Sequence, residues 1–134
     1  MEDTELEKIK QKKLHELMKR QSETKTQQET IVLELNESNF DHVISANTPT
    51  LVDFWAAWCG PCKIMHPVFE SLSKKYRQIQ FARVNVDENQ SIAMQYGVQA
   101  IPTFIMFMAG QPVDRMMGAV GAPGIHLICQ KYSQ

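Results

Sequence analysis

The sequence predicts an α/β protein with a central mixed five-stranded sheet and helices on both faces. Three observations carry this. Short apolar runs of strand type alternate with stretches whose apolar residues recur at helical spacing. The resulting order is strand, helix, strand, helix, strand, helix, strand, strand, helix, and its early βαβ units imply parallel strands joined by right-handed crossovers. The last two strands are separated only by "AGQP", so a hairpin adds antiparallel pairing. A sheet built this way has two faces to cover, and the helices are the elements that can cover them.

Each element has its own signal. "IVLEL" is a short strand. "ESNFDHVISAN" places Phe40, Val43 and Ile44 on one side of a helix, with Ser38 or a neighbour as its cap and Pro49 beyond its end. "TLVDFWA" is an almost continuous apolar run, the mark of a strand covered on both faces. A helix follows over roughly residues 60–77, where Ile64, Val68, Leu72 and Tyr76 recur at helical spacing. "IQFARVNVD" alternates as a strand, and "NQSIAMQYG" is a short helix closed by Gly97. "PTFIMFMAG" and "PVDRMMGA" form the hairpin. "GIHLICQKYS" is a final helix with Ile125, Ile128, Cys129 and Tyr132 on one face.

The chain has 134 residues and a formal net charge of −1, which suits one ordinary domain and gives no overall pull toward nucleic acid or anionic membrane. No stretch reaches the ~20 apolar residues of a membrane span. Residues 1–30 differ in character from the remainder, 31–134, which is read as the domain proper. Residues 2–29 hold seven acidic and seven basic side chains and no aromatic residue, glycine or proline. Thr4 and Glu7 form a capping-box pattern, and Leu6, Ile9, Leu14, Leu17 and Met18 give a broad apolar face. The segment is read as a charged extension, partly helical or mobile. A solvated helix, a partner-docking helix and a basic patch around Lys8, Lys10, Lys12 and Lys13 are its three readings, in that order. It lacks the apolar core of a secretory signal, so a cytoplasmic protein is expected.

That setting bears on "WAAWCGPCK". In a reducing cytosol a pair of cysteines points to catalysis or metal before structural cross-linking. Cys59 lies where a buried strand gives way to a helix, and the free N–H groups and dipole of a helix N-terminus stabilise a thiolate. The thiolate is the species that attacks a disulfide. Pro61 falls in the first turn, where its missing N–H does little harm. Cys62, one turn further in, is suited to resolving a mixed disulfide. Asp53 is the only charge in "LVDFWA". Burial there raises a carboxyl pKa, and it shares a strand face with Leu51 and Trp55, so it is the candidate proton acceptor for Cys62.

Rival uses of the pair lack partners. Zinc needs two more ligands at matching spacing, and no second C-x-x-C occurs. Haem attachment needs histidine after the second cysteine, where Lys63 stands. His66 could face the pair but reads better as a lone histidine. No partner can be named for His15, His42 or His126. Cys129 reads as a small buried hydrophobe, the methionines as gap fillers, Trp55 as core, and Trp58 as surface.

The segments "VDFWAAWCGPCK", Pro67, "VNVDEN", "YGVQAIPTF" and Gly118–Ala119 together resemble the thioredoxin family over residues 31–134. The resemblance implies the thioredoxin fold and a protein-disulfide reductase that needs no cofactor beyond its own Cys59–Cys62 redox disulfide. It implies that Cys59 attacks, Cys62 resolves and Asp53 takes the Cys62 proton. It makes Pro102 a cis proline beside the site, and Pro67 a kink in the second helix. Trp58, Gly60, Pro61, Ile101, Pro102, Gly118 and Ala119 would form the apolar docking surface. Its implied partners are a thioredoxin reductase and disulfide-containing proteins, with no membrane or nucleic acid, the protein acting as a monomer. Arg83 stands where the family often has lysine near the buried aspartate, so it is expected to tune Asp53.

Overall fold

The computed structural model describes residues 32–133. The expected extension over residues 1–30 lies outside them. Strands β1 (Val32–Leu35), β2 (Thr50–Trp55), β3 (Gln80–Asn85), β4 (Thr103–Met108) and β5 (Gln111–Met117) form one sheet in the order β1-β3-β2-β4-β5. The pairs β1/β3 and β2/β3 are parallel, and β2/β4 and β4/β5 antiparallel. The mixed five-stranded sheet is as the sequence predicts. Helices α1 (Phe40–Ile44), α2 (Gly60–Lys75), α3 (Gln90–Gln95) and α4 (Gly121–Tyr132) complete the fold.

Successive side chains of a strand point to opposite faces, so one sheet feeds two cores. Leu51, Phe81, Phe104 and Met106 pack against Met65, Phe69 and Leu72 of α2 and Ile125, Ile128 and Cys129 of α4. Val52, Phe54, Ala82, Val84, Ile105 and Phe107 face the other way, onto Phe40 and Ile44 of α1 and Ile92 of α3. Strand β2 lies at the centre and reads as a continuous apolar run because both its faces are covered. The ring of Phe69 lies 4.8 Å from that of Phe81 and 5.7 Å from that of Phe104. Truncation of this buried residue, Phe69→Ala, is expected to cost about 3–5 kcal/mol of stability in denaturant unfolding. A loss below about 1 kcal/mol would mean that the layer refills the space.

Several local expectations change. Helix α1 is only five residues long, and Asn39, without a side-chain cap bond, is its N-cap. The turn before it is closed by Asn36, whose Oδ1 accepts from the Ser38 and Asn39 amides at 2.9 and 3.1 Å. Ser38 is therefore not the cap. It is held by the same asparagine through its hydroxyl. On α2 the inward stripe runs through Met65, Phe69, Leu72 and Ser73, whereas Ile64 is exposed. A strict four-residue spacing drifts round a 3.6-residue helix, and Ile64 falls off the stripe. The helix continues through Pro67. The hairpin loop is Ala109–Gly110 alone, and both residues have positive φ, as a two-residue type I′ turn requires. Gln111 and Pro112 belong to β5, an edge strand that tolerates proline. His126 has a partner after all, with its Nδ1 2.7 Å from the Tyr76 hydroxyl.

Candidate functional site

The cysteine pair sits at the carboxyl end of β2, where open α/β sheets place their sites. Cys59 is the N-cap of α2, and its Sγ accepts the Cys62 backbone N–H at 3.2 Å. Sulfur thus fills the role that an oxygen-bearing side chain commonly has at this position, satisfying one of the orphan donors of the helix. Pro61 stands in the first turn. Cys59 and Cys62 are joined as a disulfide with Cα atoms 5.3 Å apart. Both sulfur-bearing residues are buried with Ala56, and Trp55, Val86 and Ile101 pack round them.

Three loops meet at this end of the sheet. The Ile101–Pro102 bond is cis, and the Ile101 carbonyl lies 3.8 Å from Cys59 Sγ. The Gly118 amide donates to the Pro102 carbonyl at 2.8 Å, which seats the end of β5 beside the proline. Gly118 has φ +90°, a conformation that favours glycine. Trp58 is 71% exposed, Gly60, Pro61 and Ala119 are exposed, and Ile101 is half-buried. Pro102 is buried, so it forms the floor beneath the rim instead of part of the surface itself. The Trp58 indole N–H donates to Asp87 Oδ2 at 2.9 Å. That tie spans 29 positions and leaves no sequence signal beyond the presence of an acid.

Asp53 is fully buried, and neither carboxylate oxygen has a hydrogen-bond partner. Burial pushes its pKa up to about 7, with Arg83 opposing and Glu34 adding to the rise. Arg83 lies opposite Asp53 in the β2/β3 register, so it shares that face. Its close contacts lie elsewhere, however. Nε is 2.7 Å from Glu34 Oε1, out of line for a hydrogen bond, and Nη2 donates to Glu70 Oε1 at 3.1 Å. Two carboxylates drawn onto one guanidinium explain why desolvation wins at Asp53.

His66 is the residue the sequence reading undervalued. Its Nε2 is 3.8 Å from Asp53 Oδ2, and its ring stands edge-on to Trp55 with centroids 4.9 Å apart. Burial, reinforced by Arg83 and opposed by Glu70, holds its pKa below the ordinary value, so near neutrality the contact is not an ion pair. The available signal was its position one turn after Cys62, on the helix that packs over β2. Cys129 is buried on α4, and burial pushes its thiol up to about 12, which keeps it unreactive. Among the described residues no cluster of three or more histidine, cysteine, aspartate or glutamate side chains could hold a metal, and no helix is long and apolar enough to cross a membrane.

A dithiol that closes into a disulfide at a helix N-terminus exchanges an electron pair with other disulfides. Fold and site together define a dithiol–disulfide oxidoreductase. The Thioredoxin family model matches residues 31–130. The thioredoxin of Alicyclobacillus acidocaldarius is 45% identical over 85 residues, 63% of this chain and 81% of that one. The bifunctional thioredoxin reductase/thioredoxin of Mycobacterium leprae is 45% identical over 93 residues, which are 68% of this chain but only 20% of that protein. Among solved structures, Malassezia sympodialis thioredoxin superposes with a TM-score of 0.72 at 35% identity, over 77% of this chain and 91% of that chain. The chain belongs to the thioredoxin family, and its activity is the reduction of protein disulfides through the Cys59/Cys62 pair.

Proposed function

We propose that the two cysteines have unequal roles, with Asp53 as the proton acceptor in the resolving step. The observation that carries the assignment is that Cys59, not Cys62, caps α2, where its sulfur already accepts a helix N–H. A thiolate there attacks the substrate disulfide, one substrate sulfur leaves as a thiolate, and a mixed disulfide to Cys59 remains. The Cys62 thiol gives its proton to the Asp53 carboxylate and attacks Cys59 Sγ. The Cys59–substrate bond breaks, and the second substrate sulfur leaves as a thiolate that takes its proton from solvent. Two electrons pass to the substrate and the Cys59–Cys62 disulfide closes.

The exposed Trp58, Gly60, Pro61 and Ala119, with the half-buried Ile101 and Gly118, form the docking surface for an extended segment of a disulfide protein, above the buried Pro102. No prosthetic group takes part. A separate thioredoxin reductase returns the pair to the dithiol, a reading supported by the M. leprae relative, whose name joins the two activities. The protein acts in the cytoplasm as a monomer, away from membranes and nucleic acid, in keeping with a net charge of −1.

Single-turnover resolution of the mixed disulfide, followed from pH 6 to 9, tests the acceptor. Asp53→Asn is expected to slow it by about 10²-fold near pH 7, the low side of general-base contributions, with the gap closing as hydroxide takes over. Equal rates at every pH would remove Asp53 from the role. In the same measurement Arg83→Met should move the profile to higher pH, because Arg83 favours the ionised carboxylate.

A further inference from the structure

An acceptor sealed in a core must also lose its proton before the next cycle. Asp53 has no exposed surface, and its strand neighbours Val52 and Phe54 are equally sealed. In the sheet it lies between Arg83 of β3 and Phe104 of β4. Phe104 is apolar and buried, and Arg83 is a permanent cation that cannot take a proton. Beside Cys62, the proton's source, the described residues bring one further proton-accepting group to the carboxylate, His66, whose Nε2 is itself buried and without a hydrogen-bond partner. The rest of its side chain reaches solvent, with 20% of its surface exposed. One ring therefore joins the sealed carboxyl to the outside.

The geometry points to His66 as a positioning residue for disulfide exchange, the relay through which Asp53 returns its proton to solvent. The inference rests on the assignment of Asp53 as acceptor. After resolution the protonated Asp53 passes its proton to Nε2 of the neutral ring, either by closing the 3.8 Å gap or through one water. The imidazolium then loses its other ring proton to buffer at its exposed edge, and a turn of the ring brings Nε2–H out to solvent, where exchange restores the starting tautomer. No electrons move, and the charge on Asp53 and His66 is reset. The lowered histidine pKa and raised aspartate pKa suit this, since the imidazolium is a short-lived carrier and not a trap. The charged groups facing the pair are Arg83 on β3, Glu34 on β1 and Glu70 on α2. Trp55 supplies an apolar wall that keeps the ring upright.

The test follows multiple turnover of the full-length protein on an insulin-type disulfide, across pH 6 to 9, with His66→Gln and His66→Ala. Both variants should lose about tenfold near pH 7, less than a directly acting base contributes, and approach the wild type at pH 9. Added imidazole should restore the alanine variant in proportion to its concentration and leave the wild type unchanged. A loss that is uniform in pH and deaf to imidazole would mean the ring is only packing, and unchanged profiles would remove it altogether. In the unaltered protein, the His66 ring nitrogens followed by NMR should show a second inflection at the Asp53 titration, absent in Asp53→Asn. A single inflection in both would overturn the coupling without depending on how any His66 variant folds. If Asp53→Asn slows resolution while His66→Gln does not slow turnover, the acceptor stands and the relay falls. If Asp53→Asn is silent, the acceptor assignment itself has failed.

Discussion

Cys59→Ser is expected to reduce the rate of insulin-type disulfide reduction to that of dithiothreitol alone. A serine hydroxyl at the same helix N-cap can still accept the Cys62 N–H that Cys59 Sγ accepts at 3.2 Å, so the fold is retained. It cannot supply a thiolate at neutral pH, and it cannot close a disulfide with Cys62. Structure and activity are thereby separated in one substitution. The companion change, Cys62→Ser, leaves the attacking sulfur and removes the resolving one. It should halt the reaction at the mixed disulfide, visible as a protein mass increased by one substrate chain and reversed by reductant. Activity of Cys59→Ser comparable to the wild type would remove that residue from the chemistry.

Asp53→Ala should make the oxidised protein more stable at neutral and alkaline pH, by up to about 4 kcal/mol. In the folded protein the carboxyl stays protonated until about pH 7, whereas in the unfolded chain it ionises near 3.8. Between those values the folded state holds a proton that the unfolded state has released, so raising the pH favours unfolding. Each pH unit of that window costs about 1.4 kcal/mol. The stabilising effect of the substitution should therefore be absent below about pH 4, grow through the window and level off above pH 7. Guanidinium unfolding at a series of pH values measures it. A difference between variant and wild type that does not change with pH would show that the carboxyl is not held neutral by burial. The native residue is thus retained at a cost in stability, which is the pattern expected where a buried carboxyl serves catalysis.

How legible the protein was depended on the range of the interaction. Strands β2, β3 and β4 and helix α2 were readable because burial imprints a local period or run on the residues themselves. The cysteine pair was readable for the same reason, since its two sulfurs sit in consecutive turns of one segment. Asp53 stood out because a lone charge in an apolar strand is costly. Helix α1 was overestimated in length because Phe40, Val43 and Ile44 satisfy a helical pattern that the asparagine turn before them and Pro49 after them cut short. Ile64 was placed inward because an apolar residue and a four-residue interval cannot report which way a helix is turned.

The amino-acid sequence alone was sufficient for the class of fold, the order of its elements, the redox pair, the buried carboxyl beside it and the family resemblance. Those properties rest on residue type and short spacing, which packing has to respect wherever the chain folds. Tertiary structure decided who touches Asp53. Arg83 faces it but is held by Glu34 and Glu70, from a different strand and a helix, and His66 reaches it from thirteen residues away across the sheet–helix interface. It also buried Pro102 and tied Trp58 to Asp87. These contacts depend on the register of β2 against β3 and on the rotation of α2 above them, and a sequence carries no local signature for either.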